Sequence, residues 1–237
     1  MKAFLLAAGE GTRLRPLTDT TPKCLVPIDD KPLLRIWLEA LQHAGVNAVL
    51  LNTHHLADVV RDYVASEPVP GISVRLFHEP VLLGSGGTVA ANRDFVEGED
   101  AFMIVYADNL TNAELRPLLD FHRERDSPFT MALFETAQPT ECGIASLDAQ
   151  GRIVAFEEKP LHPEGNLANA GLYVAGPTVF DHLPEGAYID FGHDVLPALA
   201  GRMYGYQLDG YYCDIGTPER LAAARQAWVD LRQARGI

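Results

Sequence analysis

The chain opens MKAFLLAAGEGTRLRPLTDTTPK, an apolar run that breaks directly into two glycines, two arginines and a lysine. Such a run reads as a buried strand handing a turn to its carboxyl end. In a parallel α/β sheet, ligands sit beyond that end. Gly9 and Gly11 let backbone N–H groups approach an anion with no Cβ in the way, while Arg13, Arg15 and Lys23 bring the positive charge a triphosphate needs. Two other phosphate cradles are excluded: a dinucleotide turn needs a third glycine near position 14, where Leu14 stands, and a P-loop needs Gly-Lys-Ser/Thr. The run Ala3 to Ala8 is also below the roughly 7–15 residues of a secretory h-region.

The rest of the chain extends this strand into an α/β protein. KAFLLA, AVLLN, SVRLFH, AFMIVY and FTMALF are near-continuously apolar, as buried parallel strands are. Between them, LLRIWLEALQHAG repeats apolar positions at three and four and stops at Gly45, a C-cap. TNAELRPLLDFHRER opens with Thr111 and Glu114 at capping-box spacing. The alternation predicts βαβ units in a mostly parallel central sheet with helices on both faces. After about residue 135 the strand-like pieces GIASLD, RIVAFEEKP and NAGLYVAG, joined by turn residues, predict an antiparallel annex. TPERLAAARQAWVDLRQ predicts a closing helix with Thr217 as N-cap and Pro218 at N1. We therefore expect one domain over 1–237, divided into 1–135, 136–215 and 216–237.

Charge and cysteine content limit the partners. The chain has 237 residues, 47% hydrophobic, and a formal net charge of −13, so nucleic acid and anionic membrane surfaces are repelled over most of it. No stretch approaches the roughly 18 apolar residues of a membrane helix. Cys24, Cys142 and Cys213 are odd in number and include no CxxC pair, which argues against a disulfide framework and a structural zinc and for a reducing cytoplasm. His54 and His55, adjacent, read as the lead-in to a helix. Asp190, His193 and Asp194 read as a helix start with acidic residues at its positive end.

The string G-x-G-T-R-L-R-P-L-T followed by P-K closely resembles the signature of the sugar-1-phosphate nucleotidyltransferases, or NDP-sugar pyrophosphorylases, with mannose-1-phosphate guanylyltransferase-like members in view. EPVLLGSGGT, VYADNL, FEEKP, NAGLYV and YCDIGTPE resemble later blocks in the family's order, so the likeness runs from about residue 1 to 220. It implies a Rossmann-like three-layer nucleotidyltransferase fold and transfer of a nucleotidyl group from an NTP to a sugar 1-phosphate, with Mg2+ required and pyrophosphate released. Carried over position by position, Ala7, Ala8, Gly9, Gly11, Thr12, Arg13, Lys23, Glu79, Gly84, Gly87 and Asp108 would bind the nucleotide. Asn109, Gly143, Glu158, Lys159 and Asn169 would bind the sugar phosphate. Asp108 and Asp214 would hold Mg2+. The sequence departs from the family's usual pattern at Ala107, at Cys142, where a tyrosine is common, and near Tyr212 and Cys213.

These residue types suit the reaction. A sugar phosphate is already an ionised nucleophile, so attack on the α-phosphorus needs no general base. The difficulty is joining two anions and stabilising the departing pyrophosphate. Cations meet it: Lys23 at the α/β phosphates, Arg13 at the pyrophosphate, Lys159 at the sugar phosphate, with Arg15 a lesser candidate beside them. Two carboxylates completed by phosphate oxygens are the usual surroundings of Mg2+. Glu158 and Asn169 could meet sugar hydroxyls. Gly84, Gly86 and Gly87 would admit a flat base, and Glu79 would accept from both N1–H and N2–H of guanine, so GTP is the expected substrate and mannose 1-phosphate or a related sugar its acceptor. Uridylyl or thymidylyl transfer stays open, as does a non-catalytic nucleotide-sugar-binding subunit, which would be expected to have lost Lys23, Asp108 or Asp214. A nicotinamide-dependent oxidoreductase fails on Leu14 and on the missing acid after AVLLN. The length leaves no room for a C-terminal β-helix, and a monomer or homodimer is expected.

Overall fold

A computed structural model describes residues 1–125 and 127–235. The first strand, β1 (Lys2–Leu6), leads through a turn to the short hairpin β2 (Pro27–Ile28) and β3 (Lys31–Pro32) and then to α1 (Leu33–His43). Three further βα steps follow: β4 (Ala48–Thr53) with α2 (Ala57–Ser66), β5 (Ser73–His78) with α3 (Gly84–Ala91), and β6 (Phe102–Tyr106) and β7 (Asn109–Thr111) with α4 (Arg116–Glu124). The second half holds β8 (Phe129–Glu135), β9 (Gly143–Leu147), β10 (Ile153–Glu158), β11 (Leu167–Ala175), α5 (Leu196–Leu199), β12 (Tyr204–Gln207), β13 (Tyr212–Asp214) and α6 (Pro218–Arg235).

One sheet runs through both halves. β5, β4, β1 and β6 are parallel neighbours in that order. The sheet then reverses at β11, antiparallel to β6, β8 and β9, and continues to the antiparallel β9–β10 pair, which forms the predicted annex. β1 explains why its sequence is apolar without interruption. Ala3 and Leu5 point into a core shared with α1, α4 and α6, and Phe4 points into the opposite core shared with Val89 of α3 and Leu196 of α5. Helices thus cover both faces, and alternation vanishes because each face is buried. Two strands differ from the expectation of buried parallel runs. β5 is the sheet edge and half-exposed, and β8 runs antiparallel to β11 although parallel to β12.

Local signals hold where the deciding contacts are local. α1 ends in a Schellman turn, with Gly45 at φ +91°, its N–H on the Gln42 carbonyl (2.9 Å) and the Val46 N–H on the Leu41 carbonyl (3.0 Å). Thr217 caps α6, accepting the Arg220 N–H at 3.3 Å on Oγ1 and the Leu221 N–H at 2.8 Å on its carbonyl. The capping box at Thr111 does not form. Thr111 lies in β7, where its hydroxyl donates to the Tyr211 carbonyl at 2.7 Å, and α4 begins five residues later at Arg116. The pairing of β7 with β13, a hundred residues away, outcompetes the local cap.

Candidate active site

The first cavity, about 340 Å³, opens beyond the carboxyl ends of β1, β4 and β6. Its floor is the opening turn, with Ala7, Ala8, Gly9, Gly11, Thr12, Arg13 and Lys23 all in its wall. Gly11 has φ +66°, and a Cβ there would stand 2.9 Å from Thr18 Cγ2, so the left-handed turn and the packing both require glycine. A Cβ at Gly9 would meet nothing within 4 Å. The turn is tied to the next strand by Asn52, at the end of β4, whose Oδ1 accepts the Ala7 N–H at 2.6 Å.

Lys23 is the centre of the charged floor. Although it is only 8% exposed, its Nζ donates to Asp108 Oδ2 at 2.8 Å and lies 3.9 Å from Asp214 Oδ1. The two carboxylates, on loops more than a hundred residues apart, therefore converge on one ammonium. Their backbones are also joined, since the Ile215 N–H donates to the Asp108 carbonyl at 3.2 Å. Asp108 hangs from the end of β6, and Asp214 from β13, which pairs with β7 so that Asp214 faces Asn109. Arg13 reaches the same region: a Cβ on Gly216 would stand 2.8 Å from both Arg13 Nη2 and Asp214 Oδ1. Arg15 instead pairs with Asp19 at 3.3 Å on the surface.

A second cavity, about 410 Å³, continues from the first and shares with it Tyr106, Asp108 and Tyr188. Glu158 and Lys159 line it from the end of β10, Cys142 and Gly143 from the start of β9, and Asn169 from β11. The Lys159 side chain is mostly exposed, 3.9 Å from Glu158 Oε1, on a backbone with φ +50°. Gly143 must be glycine, because a Cβ would lie 2.4 Å from Phe156 Cζ and 2.5 Å from Glu158 Oε2. Asp190 caps the turn Phe191–Val195, as the sequence predicted, and accepts the His193 N–H at 3.1 Å. Asp190 and His193 also face this second cavity.

The nucleotidyl transferase family matches this sequence over residues 2–230. The chain belongs to that family. Among its relatives, the mannose-1-phosphate guanylyltransferase of Mycobacterium tuberculosis is 34% identical over 92% of this chain and 61% of its own length. The UTP--glucose-1-phosphate uridylyltransferase of Synechocystis is 31% identical over 91% of this chain and 60% of its own. The chain thus spans about three fifths of the length of these curated relatives. A solved structure, HddC from Yersinia pseudotuberculosis complexed with GMP-PN, superposes with a TM-score of 0.79 and 26% identity over 96% of this chain and 99% of that one.

Several carried-over residues have other partners in this fold. Glu79 neither points to water nor offers a free bidentate carboxylate. It is 1% exposed; Oε1 accepts from Asn52 Nδ2 (2.8 Å) and Thr88 Oγ1 (2.6 Å), and Oε2 accepts the Leu83 N–H (3.0 Å). It ties β4 to the glycine-rich turn and forms cavity wall, and neither oxygen is left free to accept from both N1–H and N2–H of guanine. The glycines of that turn are already required by protein packing. The Gly86 and Gly87 N–H groups both donate to the Ile189 carbonyl (2.8 and 3.1 Å), and a Cβ at Gly84 would lie 2.4 Å from the same oxygen. Gly84 still borders the first cavity, but Gly87 does not. Asn109 is buried, with Nδ2 on the Ala170 carbonyl at 3.1 Å. Asn169 donates to the Tyr173 hydroxyl (2.7 Å) and accepts the Gly171 N–H (2.9 Å), filling a bulge in β11. Both border the second cavity with side chains already engaged.

Sequence reasoning missed Asn52, Tyr106, Tyr188 and Arg220. Asn52 carried a signal, as a polar residue ending an apolar strand, and Tyr106 stands inside the VYADNL block beside Asp108; Tyr188 and Arg220 lie outside the motifs that point to a ligand. Burial pushes the Tyr106 phenol well above its ordinary value, so it stays protonated in the wall between the cavities.

Burial likewise raises the Glu158 carboxyl above its ordinary value, opposed by Lys159 and His193 and assisted by Asp190. A raised folded-state pKa is a stabilisation present below the unfolded carboxyl range and lost as pH rises through the folded value. Glu158→Gln is therefore expected to raise Tm at neutral pH, the gain shrinking to nothing towards about pH 4. Calorimetry of both proteins across that range checks the sign.

Proposed function

We propose that this protein transfers a nucleotidyl group from a nucleoside triphosphate to a sugar 1-phosphate, releasing pyrophosphate. The reading is carried by one observation: two adjoining cavities meet at Asp108, where Lys23 stands between Asp108 and Asp214. The first cavity takes the triphosphate on the turn Gly9 to Arg13, with Lys23 over the α/β phosphates and Arg13 over the leaving pyrophosphate. The second takes the sugar phosphate, with Lys159 on its phosphate and Glu158 accepting from ring hydroxyls. The phosphate oxygen attacks in line, and no residue need remove a proton. The chain's work is to bring two anions together and to neutralise charge on the departing group.

Asp108 and Asp214 are the residues that would hold Mg2+. Two hard carboxylates at a phosphate site suit an ion that completes its shell with substrate oxygens and water. Bound there, the ion would neutralise phosphate charge and polarise the phosphoryl group. The chain contains no group of three or more His, Cys, Asp or Glu side chains able to cage a metal among the described residues, which fits an ion shared with substrate.

GTP is the preferred nucleotide in this reading, supported by the guanylyl-transferring relative and by the neighbour complexed with GMP-PN; the uridylyl-transferring relative keeps UTP as the second reading. Pyrophosphate release measured with each NTP, a panel of sugar 1-phosphates and Mg2+ tests both. The expected result is kcat/KM for GTP at least about tenfold above UTP, dTTP and CTP. Equal turnover of all four overturns the base preference, and no release across the panel overturns the enzyme in favour of a nucleotide-sugar-binding subunit. No helix of the described residues is long and apolar enough to cross a membrane, and the three cysteines are free, in keeping with the cytoplasmic setting we propose.

A further inference from the structure

We propose that Arg220 is a positioning residue that fixes the orientation of Asp214 and so sets how tightly the carboxylate pair holds a divalent cation. The proposal rests on the reading of Asp214 as a metal ligand.

Asp214 needs outside support. It is the last residue of a three-residue strand paired only with β7, and the chain turns away at once through Gly216. Its carboxylate is nevertheless held on both oxygens. Oδ1 accepts the Gly216 N–H at 2.6 Å and faces Lys23, while Oδ2 accepts from Arg220 Nη1 at 2.7 Å. The guanidinium sits in the first turn of α6, where the Arg220 N–H is capped by Thr217. Its other terminal nitrogen, Nη2, donates to Gln138 Oε1 at 2.9 Å and to the Glu141 carboxylate, both in the turn that leads into β9.

One planar group therefore joins three elements: the strand carrying Asp214, the closing helix and the annex turn beside the second cavity. A guanidinium can do this because its donors point in fixed, divergent directions; an ammonium is a single point charge on a flexible stem. The fork occupies Oδ2 and leaves Oδ1 on the side of Lys23. Partners of metal-binding carboxylates set ligand direction in this way, and their loss costs about 10–100-fold in metal affinity.

The test titrates Mn2+ into the whole protein, alone and with GTP in the absence of any sugar 1-phosphate, and reads free Mn2+ by electron paramagnetic resonance. Arg220→Met is expected to weaken Mn2+ binding at least about tenfold, and Arg220→Lys, which keeps a cation but not the fork, about three- to fivefold. Circular dichroism and Tm are recorded for each variant. A lower Tm with Mn2+ binding within twofold of wild type in both arms would make Arg220 only a tie between helix and annex, and the proposal fails. If Arg220→Met does not fold, Arg220→Lys decides: wild-type Mn2+ affinity overturns the proposal. If the wild type takes up no Mn2+ in either arm, Asp214 is not a ligand and the proposal falls, although pyrophosphate release in the substrate panel would leave the reaction standing. Conversely, Mn2+ binding that weakens in Arg220→Met sustains the positioning role even if the panel yields no pyrophosphate.

Discussion

Lys23→Met is expected to lower the rate of pyrophosphate formation about a thousandfold or more, with the fold intact. The ammonium pairs with both Asp108 and Asp214, and it does so from the floor of the first cavity. When a triphosphate enters, this charge is positioned to move from carboxylate to phosphate oxygen, and it acts from a nearly buried position. There a fixed charge is worth far more than on the surface. Methionine keeps most of the apolar stem and the packing against the turn, so the loss falls on charge, not shape. Stability changes less, because Asp108 and Asp214 are each partly open to water and keep much of their solvation when the ammonium is removed. Steady-state kinetics and a melting curve on the same preparation separate the two effects. Turnover within tenfold of wild type would remove Lys23 from the reaction and, with it, the assignment of the cavity floor to the triphosphate.

The largest loss of stability is expected at Gly84. Gly84→Ala should destabilise the protein by about 3 kcal/mol, which for a chain of this size lowers Tm by roughly 6–12 °C. Two costs add. The residue has φ +77°, a conformation that a Cβ disfavours, and the Cβ would lie 2.4 Å from the Ile189 carbonyl oxygen. That oxygen is backbone, held by the Gly86 and Gly87 N–H groups, so it cannot swing aside as a side chain could. Relief requires the whole 188–191 segment to lift from α3. The same segment places Tyr188 against both cavities, and Ser85 anchors it by donating to Asp190 (3.1 Å) and accepting the Phe191 N–H (2.8 Å). The variant should therefore lose affinity for nucleotide and sugar phosphate together. A wild-type melting temperature would show that the segment docks more loosely than these distances state.

The sequence was most legible where structure is decided by neighbours along the chain. The apolar run of β1, the glycine turn after it, the Gly45 stop of α1 and the Thr217 cap of α6 each depend on residues within a few positions, and each reads correctly. The charged floor was legible for another reason. Lys23 is nearly buried and needs a charged partner there, and Arg13, Lys23, Asp108 and Asp214 all fall in motifs that resemble a family that uses them. Thr111 misled because β7 pairs with β13, where its hydroxyl donates to the Tyr211 carbonyl and accepts the Ala113 N–H in place of an N–H from a first helical turn. The two-oxygen reading of Glu79 misled in a similar way, since its oxygens are taken by Asn52, Thr88 and Leu83.

By itself, then, the amino-acid order determined the strand-and-helix alternation, the anion-binding turn and the residue types available to a phosphate site. Only tertiary structure decided which of those residues face a ligand and which face protein. The physical reason is that a polar side chain removed from water must find a partner. For Glu79 that partner is the neighbouring strand and helix. For Lys23 it comes from segments more than eighty residues away. For Arg220, whose sequence gave no sign of a role, it is the carboxylate at the centre of the site.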